Sequence, residues 1–290
     1  MLKTRLATAS VLIPLALGAI FLLPLNWFAW VTLIVLTMAA WEWSPIMGFH
    51  KTSGRLLYCA VVAGLIGLIL YLTPVEQIWQ GGRLAAAYLY PVMAAGVWWA
   101  ISLVLVSNYP RSHCVWIKSR GYVALIGILM LVPAWAALMS LRAIAFELNT
   151  YYGSWMVLFI FALVWAADVG AYFSGKRFGK RKLMPEVSPN KTKEGFLGGM
   201  LLAFLVMLGV AFYVDIPTHN MSAFFIVSLL TVVFSAVGDL NESMFKRCAG
   251  VKDSGSLLPG HGGLLDRIDS LTSALPVFLL GYLWLLHTPV

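Results

Sequence analysis

Nine apolar runs divide this 290-residue chain, at about 6–25, 27–43, 56–72, 85–106, 122–141, 155–174, 196–214, 223–240 and 268–286. Hydrocarbon offers no water to backbone N–H and C=O groups, so a spanning segment must satisfy them internally. A helix of ~17–25 apolar residues does so and matches the thickness of a bilayer core. With 61% hydrophobic and 11% charged residues, a water-soluble domain is excluded. The expected fold is an all-α integral membrane protein of about nine transmembrane helices. Lys3 and Arg5 ahead of the first run resemble the start of a signal peptide. No small-residue cleavage site follows and the run is long enough to span, so it reads as an uncleaved anchor.

The placement of charge tests this count of spans. Nine spans put the N-terminus and the loops after runs two, four, six and eight on one side. Those segments hold 18 of the 20 Lys and Arg; the other side has only Arg83 and Arg142. The positive-inside rule then places the N-terminus and the charged loops in the cytoplasm and Val290 on the far side. Residues 1–145 form five N-terminal spans. Residues 146–290 form a C-terminal region carrying cytoplasmic loops at 175–195 and 241–268. The net charge of +8 is spent on orientation and anionic lipid, not nucleic acid. Cys59, Cys114 and Cys248 are odd in number and lack metal-ligand spacing, which argues against a disulfide framework or a zinc site. Trp98, Trp99, Trp116, Tyr151, Tyr152 and Trp155 lie near run ends and read as interfacial anchors.

Residues 239–269 break the apolar pattern. They hold five acids, Asp239, Glu242, Asp253, Asp266 and Asp269, and four bases, Lys246, Arg247, Lys252 and Arg267. Ionisable groups beside hydrocarbon are costly and seldom lack a role. If the eighth helix continues through Asp239, then Asp239, Glu242, Ser243 and Lys246 share one helical face. Asp266 and Asp269, at i and i+3, share a face of the next helix. Between them Pro259-Gly260-His261-Gly262-Gly263 lacks bulky Cβ groups, so its backbone N–H groups can approach a phosphate closely. Taken singly, each charge is an ordinary helix end. Carboxylates on two helices, a glycine loop and several bases together indicate a divalent cation bound with a polyphosphate.

The loop after the sixth run is the second informative stretch. Asp168 follows Trp165-Ala166-Ala167 inside an apolar run and needs a cation or a donor. Gly170, Ala171, Ser174 and Gly175 suit close helix packing. The bases from Lys176 to Lys182 read as contact with anionic lipid headgroups. Ser188-Pro189-Asn190-Lys191-Thr192-Lys193-Glu194-Gly195 then leads into the seventh run.

Two of these stretches carry a family resemblance. Ser243-x-Phe245-Lys246-Arg247-x4-Lys252-Asp253-x-Gly255-x2-Leu258-Pro259-x-His261-Gly262-Gly263-Leu264-x-Asp266-Arg267-Ile268-Asp269 resembles the signature of the phosphatidate cytidylyltransferases, or CDP-diacylglycerol synthases. The segment Ala167-Asp168-x-Gly170-Ala171-Tyr172, the Gly175-to-Lys180 stretch and Ser188-Pro189-x-Lys191-Thr192-x-Glu194-Gly195 resemble a second pattern of that family. There the family has Lys where this chain has Asn190, so phosphate contact is expected from Lys191 and Lys193. The specific resemblance covers about residues 165–195 and 239–270. Elsewhere it rests on apolar character and on Ala39-Ala40-Trp41-Glu42-Trp43, in which Glu42 reads as a helix-end acid.

The resemblance implies condensation of CTP with phosphatidate to CDP-diacylglycerol and pyrophosphate, in a bacterial inner membrane with the site facing the cytoplasm. It implies Mg²⁺ held by Asp239 and Asp266, with Asp269 as a further ligand or its support, and room for a second cation. Lys246 and Arg247 would bind triphosphate or phosphatidate oxygens. Lys191, Lys193, Lys252 and Arg267 would add charge, and Ser188 and Ser243 hydroxyls. Backbone groups at His261, Gly262 and Gly263 would contact phosphate. Glu194 and Asp253 join the substrate-binding set, and Asp168 and Glu242 support it. A homodimer is the family expectation. The competing reading is a polytopic ion-coupled transporter with a cation site on Asp168, Asp239 and Asp266; no inverted repeat is visible, and the polar residues cluster on one side. A CDP-alcohol phosphotransferase is excluded by the absence of any Asp-Gly pair.

Overall fold

The computed structural model describes residues 2–111, 119–146, 148–214, 216–255, 257 and 262–286. Among them are nine α-helices, one for each apolar run. They are α1 (Leu2–Leu22), α2 (Leu25–Ile46), α3 (Thr52–Leu72), α4 (Ala86–Ser107), α5 (Arg120–Arg142), α6 (Tyr152–Phe178), α7 (Lys193–Tyr213), α8 (Thr218–Cys248) and α9 (Leu265–Gly281). Eight helices are long and apolar enough to cross a membrane; the apolar segment Ser10–Leu22 of α1 is shorter. Two small antiparallel hairpins, a 3-10 turn (Val75–Gln77) and a π-helical turn (Tyr282–Leu286) complete the described elements. One hairpin pairs β1 (Trp79–Gln80) with β2 (Arg83–Leu84), the other β3 (Lys182–Met184) with β4 (Ser188–Thr192).

Helices in lipid gain little from apolar burial against one another, so close packing and satisfied polar groups must hold them. α5 is enclosed by α2, α3, α4, α6 and α9. Three indole N–H groups around it reach oxygen. Trp135 donates to Thr32 Oγ1 at 3.1 Å, Trp43 to the Val123 carbonyl at 2.9 Å, and Trp79 to the Ser140 carbonyl at 2.9 Å. Arg142, 1% exposed, donates through Nε to the Ile20 carbonyl at 2.8 Å and through a terminal nitrogen to Thr150 at 3.2 Å. It thus satisfies a carbonyl of the last turn of α1, which has no intrahelical partner. One of the two bases outside the main charged loops therefore has a structural task.

Small residues bring two helix pairs together. A Cβ on Gly170 of α6 would lie 2.5 Å from the Gly198 carbonyl oxygen of α7, and one on Gly199 2.5 Å from that of Ala167. The small-residue pattern on α6 is thus a contact surface for α7. Between α8 and α9, a Cβ on Gly238 would come within 2.7 Å of the Asp269 carbonyl oxygen.

Three expectations need correction. The loop expected at 241–268 begins at residue 249, because α8 continues about two turns past the apolar run. Residues 241–248 contain no Gly or Pro to stop it. The helix ends in a Schellman motif at Gly250, φ +72°, with Val251 N–H bonded to the Lys246 carbonyl and Gly250 N–H to that of Arg247. The loop expected at 175–195 is not plain: α6 carries Lys176 and Arg177 as far as Phe178, and the hairpin β3–β4 follows, its strands too short and polar to show alternation. Trp98 and Trp99 are not interfacial anchors; they are buried on the inner face of α4. Tyr151, Tyr152 and Trp155, at the start of α6, are exposed as expected, and Trp116 lies outside the described residues.

Candidate functional site

Because α8 runs on to Cys248, the spacing read from the sequence becomes a real face carrying Asp239, Glu242, Ser243 and Lys246. Asp266 and Asp269 occupy the first turns of α9. The backbone approach at Gly238 sets these two faces side by side. α6 adds Asp168 from the third side. A cavity of about 420 Å³ results, with Asp168, Asp239, Asp253, Asp266 and Asp269 among its lining residues. Its bases are Lys246 and Arg267, and Val164, Trp165 and Leu271 give it an apolar flank.

Asp266 is held from several directions. Oδ1 takes Lys246 Nζ at 2.5 Å, and Oδ2 takes the N–H groups of Gly263 at 2.8 Å and Ser254 at 3.1 Å. Two backbone donors and an ammonium leave the carboxylate little freedom to turn. Lys246 Nζ also lies 3.3 Å from Glu242 Oε1. Glu242 is fully buried and faces Asp269. Lys246 is the cation that offsets it. Asp269 is buried and accepts the Ser270 N–H at 2.7 Å.

Asp239 is more open. Its Oδ2 receives Lys191 Nζ at 2.5 Å and its Oδ1 the Ser243 hydroxyl at 3.3 Å. Lys191 comes from β4, so the hairpin is tied to the acidic face. Gly262, at φ +79°, sits against Asp266, where a side chain would be strained. His261 lies outside the described residues.

Other expected site residues do different work. Glu194 accepts the N–H groups of Lys180 and Arg181, both at 3.1 Å, and Arg181 Nε at 2.9 Å. It closes the base of the hairpin instead of facing the cavity. Arg247 Nε donates to the Val187 carbonyl at 3.3 Å, bracing α8 against the same hairpin. Ser188 opens β4, Lys193 opens α7, and Lys252 is exposed on the loop. None of the three is among the residues lining the cavity. Among the described residues, no three of Asp, Glu, His and Cys converge closely enough to cage a metal ion by themselves.

One residue was undervalued in the sequence. Glu42, on α2, is 2% exposed, and its Oε2 accepts the Leu265 N–H at 2.7 Å at the start of α9. The available signal was an acid near the end of an apolar run within Ala39-Ala40-Trp41-Glu42-Trp43. That signal cannot distinguish a helix-end acid from one reaching across the bundle.

Comparison with known proteins gives the family. The model of the cytidylyltransferase family matches residues 3–285. The chain is 44% identical over 278 residues to a phosphatidate cytidylyltransferase of Pseudomonas aeruginosa, covering 96% of each chain. It is 40% identical over 290 residues to one of Haemophilus influenzae, covering 99% of this chain and all of the relative. A Staphylococcus aureus phosphatidate cytidylyltransferase is 37% identical over 238 residues, 77% of this chain and 87% of that one. The fold and site are those of a polytopic membrane protein with an acidic, lysine-bearing cavity. The chain belongs to the cytidylyltransferase family. The ion-coupled transporter is not supported by these relatives.

Proposed function

We propose that this protein condenses CTP with phosphatidate to give CDP-diacylglycerol and pyrophosphate. The observation that carries the reading is the cavity in which Asp239, Asp266 and Asp269 meet Lys246 and, through Asp239, Lys191. Chain-length similarity to relatives named phosphatidate cytidylyltransferase supports the choice of substrates. In the reaction a phosphate oxygen of the lipid attacks the α-phosphorus of the nucleotide and pyrophosphate departs. Both reactants are anions, so the work of the protein is positioning and charge compensation. The attacking oxygen is already ionised and demands no strong base.

Lys191 and Lys246 are held by carboxylates in positions where they can turn to phosphoryl oxygens as these enter. Arg267 lines the same cavity and suits bidentate contact. The N–H groups of Ser254 and Gly263 are already spent on Asp266, so the loop fixes that carboxylate instead of cradling phosphate there. Val164, Trp165 and Leu271 give the cavity an apolar flank for the lipid partner.

The donor set fits Mg²⁺: all-oxygen, hard and anionic. Mg²⁺ commonly takes one or two carboxylates plus substrate phosphates, so the lack of a three-acid cage among the described residues is compatible with it. Asp239 and Asp266 would hold it with Asp269 in support, and it would neutralise charge on the phosphoryl oxygens. The positive-inside distribution of Lys and Arg supports a cytoplasmic site in a bacterial inner membrane.

The test uses purified protein in detergent–lipid micelles with labelled CTP, Mg²⁺ and phosphatidate. Label should enter the lipid phase, and should vanish with EDTA or without phosphatidate. Label that stays wholly in the aqueous phase, with folded protein, would overturn the reading.

A further inference from the structure

Glu42 is not among the residues lining the cavity, yet it reaches the loop that holds Asp266. Its Oε2 accepts the Leu265 N–H at 2.7 Å and lies 3.5 Å from Ser254 Oγ. Ser254 and Gly263 are the two residues whose N–H groups bind Asp266. The Glu42 carboxylate and the cavity acid therefore both bind at Ser254 and at the 263–265 turn. The fit leaves no slack. A Cβ on Gly263 would stand 2.6 Å from Glu42 Oε2, and one on Gly255 would run into Oε1. Oε1 is buried with no hydrogen-bond partner among the described residues. An unpaired buried carboxylate oxygen is costly, so packing alone does not explain an acid here. Leu at this position would fill the space without that cost, but would leave the Leu265 N–H without its acceptor.

We infer that Glu42 is a positioning residue: from α2 it holds Ser254 and Leu265 so that the N–H groups of Ser254 and Gly263 aim the Asp266 carboxylate into the cavity. The inference rests on the proposed cytidylyltransferase reading only where activity is the readout. It also gives the N-terminal half a part in the site, acting through the loop.

The test compares Glu42→Ala, Glu42→Gln and Glu42→Leu in the full-length protein. The bonds Glu42 makes are acceptor bonds, which a Gln carbonyl can reproduce. Glu42→Ala and Glu42→Leu should lower kcat by roughly 10–100-fold, the usual loss when a group orienting a functional ligand is removed. Glu42→Gln should recover most of it. The loss should be non-additive with that of Asp266→Asn, because both act on one carboxylate. Trypsin supplies a readout independent of turnover. Lys252 is exposed on this loop, so cleavage there should be several-fold faster in Glu42→Ala than in wild type or Glu42→Gln. Equal cleavage rates in all variants, or activity losses that add to that of Asp266→Asn, would overturn the inference. If wild type transfers no cytidylyl group, the functional reading fails, and the protease comparison still decides whether Glu42 clamps the loop.

Discussion

Lys191 Nζ lies 2.5 Å from Asp239 Oδ2, joining the β3–β4 hairpin to the acidic face of α8. Both side chains are about 30% exposed, and an ion pair at that exposure contributes at most about 1 kcal/mol to stability. Its value must lie elsewhere. Lys191→Met should leave the melting temperature in detergent within a few degrees of wild type. The same change should lower kcat/KM for CTP by about 10²-fold, the scale seen when a preorganised charge-stabilising group is lost. A thermal scan beside initial rates at varied CTP decides this; a large melting shift with normal turnover would assign the pair to folding.

Lys246 presents the opposite case. It is 7% exposed and answers both Glu242 and Asp266. Removing it leaves Glu242 fully buried with no compensating cation among the described residues. Breaking a buried pair from one side costs about 3–5 kcal/mol, so Lys246→Met should markedly reduce the yield of monodisperse protein. Lys246→Met with Glu242→Gln removes the stranded charge and should recover yield without recovering activity. Size-exclusion profiles and rates of the single and double variants test both halves.

Asp266→Asn separates geometry from charge. The amide oxygen can still accept from Gly263 and Ser254, and Lys246 keeps Glu242 as a partner. The variant should fold and insert normally with activity down by on the order of 10²-fold or more. Near-normal turnover would remove Asp266 from the metal-binding assignment.

Much of this was readable in the chain. The nine runs each became a helix, because a bilayer leaves an apolar segment few other ways to satisfy its backbone. The face holding Asp239, Glu242, Ser243 and Lys246 followed from helical spacing alone. The hairpin did not, since its pairing depends on Glu194 gathering two backbone N–H groups and the Arg181 side chain from a distance no local pattern encodes. Nor did the working partners of the charges. Lys191 on Asp239, Lys246 on Asp266 and Glu42 on Leu265 are contacts across the bundle. Sequence can nominate such residues, but only the fold pairs them. Arg247 and Glu194 show the converse: both carry the right chemistry in the resembling motifs, yet both brace the hairpin.

The packing of α6 on α7 allows a prediction with an internal control. Gly170 and Gly198 meet backbone to side-chain-free backbone, and a methyl group on Gly170 would stand 2.5 Å from the Gly198 carbonyl oxygen and 2.9 Å from Leu202 Cβ. Neither neighbour can yield without moving a helix. Gly170→Ala should therefore force α6 and α7 apart, at a cost of about 1–3 kcal/mol typical of overpacking. α6 carries Asp168, and α7 follows directly from β4 with Lys191, so activity should fall together with thermal stability. Gly209, also on α7, has nothing within 4 Å of its ideal Cβ. Gly209→Ala removes backbone freedom from a helix interior and should raise stability by roughly 0.5–1 kcal/mol with unchanged turnover. Opposite melting shifts for the two substitutions would show that the α6–α7 contact, and not glycine content, positions the hairpin over the site. Equal shifts would show that the contact is dispensable.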